Sequence, residues 1–373
     1  MPREDPVKRI RYGRIAAIVT AGALALTACG NDPATDSGNG GSGDNGGESS
    51  LSGTLAGSGA TSQESAQNAW AAKFMAANPD VDLSYDPVGS GGGRSAFLEG
   101  GVAFAGSDSA LDDEERAQAK ERCAGGDAYD LPLYISPIAV VYNLKDVKEL
   151  NLAPATIAKI FDGKITKWND AAIKADNPNA TLPDLNITPV NRSDESGTTK
   201  NFTDYLSKTA GADWPHEPSG DWPRQGTQSA QGTSGVVQAV QGGEGTIAYA
   251  DHSQAGSLGV AKIKVGDAFV EPTADGAAKV VEESPKKEGL PEHDLAIDLK
   301  RDTTTAGAYP LVLVSYIIVC SKYEDAAQGE LVKAYVQYMA SEEGQQVAAD
   351  EAGSAPISDA FRTEVDAAVG SIA

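Results

Sequence analysis

From Leu51 onward the chain alternates between short runs rich in β-forming residues and longer stretches with apolar residues three and four positions apart. Residues 51–57 predict a strand that runs into a glycine-rich turn. Residues 63–78 predict a helix, because Ala66, Trp70 and Phe74 recur at spacings of four and so share one face. Residues 81–88 alternate as a half-buried strand does, 102–105 predict a short strand, and 112–122 a charged helix. The runs 138–142 and 311–319 are dense in β-branched residues and predict buried strands, and 326–349 predicts a helix. Such alternation implies an α/β protein with mainly parallel sheets. No internal repeat of fixed period accompanies it.

The first 50 residues break this pattern. Arg3, Lys8, Arg9, Arg11 and Arg14 form a basic start, and an apolar run over 15–28 follows at the length of a secretory signal core. The run is shorter than the ~20 residues that span a bilayer. It ends Leu26-Thr27-Ala28-Cys29, the pattern of a lipobox, which predicts a signal peptide over 1–28 and a lipid on the Cys29 thiol. A plain signal peptide that ends near a cysteine is the simpler alternative. Several acyl chains on one cysteine suffice for stable anchoring. Residues 29–50, nearly all Gly, Ser, Asp and Asn beyond the cysteine, cannot form a core and predict a flexible tether with a reach of about 25 Å. The mature protein is thus expected outside the cell, on the membrane.

Composition narrows the classes. At 373 residues and 40% hydrophobic content the chain can build two domains. Removing residues 1–28 takes away five basic and two acidic side chains, so the formal net charge of −23 becomes −26. That surface disfavours nucleic acid and anionic lipid as partners. It also means that any anion site must work through local dipoles and hydrogen bonds. With Cys29 lipidated, Cys123 and Cys320 remain as an even pair in an exported protein, and a disulfide or two buried thiols are both open.

The candidate chemistry lies in three glycine–hydroxyl turns, each placed before a predicted helix. Gly57-Ser58-Gly59-Ala60-Thr61-Ser62 opens the first, with Thr61 and Glu64 at capping-box spacing. Gly89-Ser90-Gly91-Gly92-Gly93 precedes a short helical stretch over 94–98. Ser196-Gly197-Thr198 precedes a third, with Phe202, Tyr205 and Leu206 on one face. Any one of these alone reads first as an ordinary helix cap. Three together predict an oxyanion site, because helix N-termini offer unpaired N–H groups and partial positive charge. Arg192, four residues upstream of Ser196, adds a planar fork of donors, and Asp194 is placed to hold it. Asp108, at the end of the short strand, adds an acceptor. Near neutral pH phosphate carries a proton and sulfate does not, so one carboxylate among donors favours phosphate.

In this order and spacing the motifs, together with Ile160-Phe161-Asp162-Gly163-Lys164-Ile165 and Trp168-Asn169-Asp170, resemble the periplasmic phosphate-binding proteins of the phosphate-specific ABC transporter. The likeness runs from Leu51 to nearly the C-terminus. It implies the type II periplasmic-binding-protein fold: two α/β lobes, 51–137 plus 309–373 and 138–308, each a mixed, mainly parallel sheet flanked by helices, with a hinge between. It implies that the chain crosses between lobes near 131–137 and 309–311, which puts Cys123 and Cys320 in one lobe. It further implies a phosphate site in which Thr61 donates through hydroxyl and backbone, Ser62 through its backbone N–H, and Ser90 from the second turn. Asp108 would accept the phosphate proton, Arg192 would pair with the anion, and Ser196, Gly197 and Thr198 would cap it. The implied partners are phosphate and the permease subunits of the importer, with no cofactor, metal or catalytic residue. The chain departs from the family at Ser62, where many relatives carry a bulky apolar residue, and at Glu195, where many carry glycine. A carboxylate there opposes an anion unless it points to solvent.

Two other functions fit less well. A secreted phosphoester hydrolase needs a nucleophile with its base, or a metal cluster. His216, His252 and His293 stand too far apart for metal-ligand spacing, and Ser284-Pro285-Lys286-Lys287 lacks the partner motifs of a serine–lysine enzyme. No Walker lysine follows the first glycine turn. A binding protein for sulfate or molybdate differs from one for phosphate only in the part played by Asp108.

Overall fold

The computed structural model describes residues 51–373, which form one compact unit. Cys29 and the segments expected to be signal and tether lie outside the described residues. None of the described helices is long and apolar enough to cross a membrane.

The chain begins β1 (Gly53–Gly59), α1 (Glu64–Ala77), β2 (Val81–Asp86), α2 (Ser90–Leu98), β3 (Phe104–Ser107), α3 (Asp113–Arg122) and β4 (Ala128–Tyr142). A second series follows: β5 (Asn151–Leu152), α4 (Pro154–Phe161), α5 (Ala171–Asp176), β6 (Thr188–Arg192), α6 (Gly197–Ala210), β7 (Gln228–Ala230), α7 (Gly232–Gln241) and β8 (Thr246–Asp251). Then come β9 (Gly259–Val265), β10 (Ala268–Val270) and α8 (Ala274–Glu283). The chain returns through β11 (Val312–Cys320) and closes on α9 (Ala326–Ala340), α10 (Glu342–Ala352) and α11 (Asp359–Gly370). The C-terminal helical stretch is thus broken at Ser341, whose hydroxyl accepts the Gly344 N–H and starts α10.

Strand order is β2-β1-β3-β11-β4-β8-β6-β7. The outer strands pair in parallel, β1 with β2 and β3, and β6 with β7 and β8. Antiparallel pairs fill the middle, where β4 pairs with β11 along its first part and lies between β8 and β9 along its last. All fifteen residues of β4 are buried, so it reads as a mainly apolar run, interrupted by Asp130 and Ser136, rather than an alternating one. At ~3.3 Å per residue it is about 50 Å long, enough to serve two sheets in turn. Through Pro137 it pairs with β11, and from Ile138 with β8. Proline lacks the N–H that a ladder needs, so Pro137 suits the point of exchange. The register also shifts between Ser315 and Tyr316, opposite Tyr134 and Pro132, where Pro132 again supplies no donor.

The helices bury the faces their periodicity predicts. Ala66, Trp70 and Phe74 of α1 are buried, and the Trp70 indole donates to the Gly344 carbonyl at 2.6 Å. Phe202, Tyr205 and Leu206 of α6 are buried, with Phe202 stacked on Tyr249 at 4.2 Å between ring centroids. Cys123 and Cys320 are joined by a disulfide that ties the end of α3 to the end of β11 across 197 residues of chain. Breaking it with Cys123→Ser and Cys320→Ser together is expected to lower stability by about 2–5 kcal/mol, since so long a loop carries a large closure entropy. Equilibrium denaturation in urea checks this.

Where β4 changes sheets, Asp251 ends β8 fully buried, opposite Ile138. Its Oδ1 accepts the Ser253 hydroxyl at 2.6 Å, and the Tyr134 hydroxyl lies 3.2 Å away. Burial pushes its carboxyl up to about 7, against the pull of the serine hydrogen bonds. The folded protein therefore holds this proton where the unfolded chain has lost it, and stability drains away as pH rises from about 4 through 7. Asp251→Asn removes that dependence, so its stability advantage over the parent is expected to grow from pH 5 to pH 8. Denaturation midpoints across that range measure it.

Candidate anion-binding cleft

The first glycine turn carries β1 through Ala60 into a single 3₁₀ turn, Thr61–Gln63, and then into α1. The expected capping box does not form, because neither the 3₁₀ turn nor α1 has a side-chain cap. Thr61 is drawn elsewhere: its Oγ1 accepts the Thr233 N–H at 3.1 Å and lies 2.9 Å from the Thr233 hydroxyl. Ser62 is fully buried, and its hydroxyl donates to Asp108 Oδ1 at 2.6 Å.

The second turn differs from expectation in its start. The helix α2 begins at Ser90, so the glycines lie in its first turns, and Gly89 caps it at φ 96°. This brings the helix close to the sheet: a Cβ on Gly93 would stand 2.3 Å from the Gly59 Cα. Ser90 Oγ accepts the Asp108 N–H at 3.2 Å and keeps its own proton to donate.

Asp108 follows β3 and is almost completely buried, with three hydroxyls on its carboxylate. Ser62 and Ser315 each donate to Oδ1 at 2.6 Å, and Thr198 donates to Oδ2 at 2.6 Å. Thr198 reaches it from the N-terminus of α6, which belongs to the other sheet. Gly197 permits that approach, since a Cβ there would stand 2.7 Å from both Asp108 Cβ and Ser90 Oγ. Ser196 caps α6 by accepting the Thr199 N–H at 3.2 Å, so it is a structural cap as well as a candidate ligand. Asn201, one turn on, donates to the Asp108 carbonyl at 2.6 Å.

Arg192 ends β6 buried, and its Nε donates to Asp194 Oδ1 at 2.9 Å while Nη2 meets Oδ2. Burial alone would raise the Asp194 carboxyl, but hydrogen bonds and charge from Arg192 hold it below the usual carboxylate range. Gly232 N–H also donates to Asp194, at 3.1 Å. A Cβ on Gly89 would lie 2.7 Å from Asp194 Oδ2 and 3.5 Å from Arg192 Nη2. The arginine therefore stands beside the second turn.

The structure thus brings the turns at Thr61, Ser90 and Thr198 together with Asp108, Arg192 and Asp194. Glu195 does not point away into solvent: its Oε1 lies 3.3 Å from Arg94 Nη2, across the cleft. Sequence reasoning missed two participants. Gly232-Thr233-Ser234 is a fourth glycine–hydroxyl turn opening a helix, and that pattern was visible in the chain. Ser315 is a lone serine in the run Leu313-Val314-Ser315-Tyr316-Ile317, a small polar residue that a fully buried strand does not otherwise explain. Among the described residues, no group of three or more His, Cys, Asp or Glu side chains is placed to hold a metal ion.

Chemically, the cleft offers helix N-termini, hydroxyls and one guanidinium around a single acceptor. Such a set suits a small tetrahedral oxyanion that still carries a proton.

A family model described as a PBP superfamily domain matches residues 45–343. Phosphate-binding protein PstS 3 of Mycobacterium tuberculosis is 38% identical over 379 aligned positions, covering 98% of this chain and 100% of that protein. PstS 3 of Mycobacterium leprae is 37% identical at the same coverage. The fold is similar to that of the high-affinity periplasmic phosphate-binding protein PfluDING bound with phosphate, at a TM-score of 0.71 and 21% identity, covering 84% of this chain and 93% of that one. It is likewise similar to a phosphate-binding protein from Stenotrophomonas maltophilia, with a TM-score of 0.67, 20% identity and the same coverage. These neighbours have the two-lobe architecture that the shared strand β4 builds here. With the sequence likeness running through almost the whole of both chains, the protein belongs to the PstS phosphate-binding-protein family of the PBP superfamily.

Proposed function

We propose that this protein captures inorganic phosphate outside the cytoplasmic membrane and delivers it to the permease of an ABC-type importer. It acts as a binding protein without cofactor, held to the membrane by a lipid on Cys29. The reading is supported by relatives that carry the name phosphate-binding protein and match over their full length. In it, segments 51–137 plus 309–373 and segment 138–308 are the two lobes, and phosphate sits between them.

The observation that carries the reading is the meeting at Asp108. An acceptor in the first lobe and donors at the α6 N-terminus of the second converge on one point, where Thr198 Oγ1 and Asp108 Oδ2 are 2.6 Å apart. A phosphate oxygen bearing the proton would take Asp108 as its acceptor, and Thr198 would turn its hydroxyl to a neighbouring oxygen. Thr61, Ser62, Ser90, Ser196 and Gly197 supply further donors, and Arg192, braced by Asp194, takes the anionic charge.

Calorimetric titration of residues 51–373, stripped of bound anion, tests the function with phosphate, sulfate and molybdate in one buffer. The account expects tight one-to-one phosphate binding and no response to sulfate. A folded protein that ignores phosphate would reduce the turns to helix caps. Asp108→Asn replaces the acceptor with a group that also donates. It is expected to weaken phosphate roughly 10- to 150-fold, the equivalent of a charged hydrogen bond of ~1.5–3 kcal/mol, and to admit sulfate. Unchanged selectivity in that variant would remove Asp108 as the selector.

A further inference from the structure

Two charged residues that no part of the binding scheme uses meet across the mouth of the cleft. Arg94 lies on α2, which packs on the first sheet, and Glu195 lies between β6 and α6 of the second. The guanidinium is nearly buried and is shared among four acceptors. Nε donates to Glu115 at 2.7 Å, Nη1 reaches Ser107 Oγ at 3.2 Å and Ser109 Oγ at 3.3 Å, and Nη2 reaches Glu195 at 3.3 Å. Three of these contacts stay within the first lobe, and only the fourth crosses.

The far side is fitted to the glutamate. A Cβ on Gly91 would stand 2.1 Å from Glu195 Oε2, and one on Gly220 would stand 2.0 Å from Oε1. The carboxylate thus fills a slot whose walls are bare backbone, one wall from each lobe. Its Oε2 is shut off from solvent and finds no donor among the described residues, so Arg94 is the carboxylate's one ion-pair partner there. Breaking the pair while the cleft stays shut would strand a half-buried charge. Opening the cleft instead returns the carboxylate to water.

Arg94 also holds the residues on either side of the selector. Ser107 and Ser109 flank Asp108, and both hydroxyls are hydrogen-bonded to the one Nη1. Whatever fixes the guanidinium therefore fixes the segment that presents the Asp108 carboxylate.

We propose that Glu195 and Arg94 form a latch that holds the cleft closed over its anion and braces the Asp108 segment in the closed state. The proposal rests on phosphate being the ligand. Two lobes of an acidic chain repel each other on closing, and an ion pair made only on closure offsets that repulsion. Because the pair forms after the anion has entered, it acts on release and not on capture.

The test is stopped-flow measurement of association and release of inorganic phosphate for the parent, Glu195→Gln, Arg94→Gln and the double variant, using residues 51–373. Glu195 is partly exposed, so its amide variant keeps the fold. It is expected to release phosphate about three- to tenfold faster with association changed by less than about twofold, as for a partly buried charge pair. The double variant is expected to release no faster than the worse single one, the sign of a shared interaction. A Glu195→Gln protein that releases phosphate at the parent's rate, or additive effects in the double variant, would overturn the latch and leave the binding function standing. A parent protein that binds no phosphate would overturn both.

Discussion

A carboxylate shut away from water needs donors on both oxygens, and Asp108 draws them from α6, β11 and the turn before α1. That demand organises the cleft. Ser62 and Ser315 occupy Oδ1, which leaves Oδ2 directed at the N-terminus of α6, where Thr198 meets it. Gln63 in turn donates to the Ser315 hydroxyl at 2.5 Å, so the fixed oxygen is supported by a further layer of side chains. The resemblance implies a bulky apolar residue in many relatives where this chain has Ser62. The Ser62 hydroxyl gives Asp108 a donor that an apolar side chain there would lack.

The same economy of contact explains the glycines. Gly93 lets α2 press against the end of β1, and Gly197 lets α6 come up to Asp108 and Ser90. Side chains at either place would hold the helix N-termini too far from a shared ligand. Because the net charge is strongly negative, the helix ends and Arg192 must act at contact distance, within the ~8 Å over which physiological salt leaves charges unscreened. A dozen charge-assisted bonds at ~1.5–3 kcal/mol each would far exceed the roughly −8 kcal/mol of micromolar binding. On the proposed function, desolvating a phosphate anion and closing two acidic lobes would consume the difference.

Much of this was legible in the chain because it is local. Helix faces such as Ala66, Trp70 and Phe74 follow from period, and Arg192-x-Asp194 places the brace two residues from the cation it holds. The pairings across the cleft were not legible in the same way. Thr61 satisfied the spacing of a capping box, yet its hydroxyl meets Thr233, 172 residues away, and nothing in a local pattern can choose between those partners. Glu195 was readable as a charge near the site, but its partner Arg94 stands 101 residues earlier. The start of α2 was misjudged for a related reason: glycine disfavours helix, and the close packing that outweighs its low propensity is tertiary. Ser315 could have been flagged as polar inside an apolar strand, but only the fold shows that it faces Asp108.

The most direct test of the central claim is a high-resolution crystal structure of the protein with phosphate bound at neutral pH. The account predicts one phosphate between the lobes, with an oxygen at a short hydrogen-bond distance from Asp108 Oδ2 and with Ser62 and Ser315 still on Oδ1. Thr198 would be turned from the carboxylate to the anion, and Arg192 would face a different oxygen. A phosphate bound away from Asp108, or one that leaves all three hydroxyls on the carboxylate and places only waters beside it, would contradict the account.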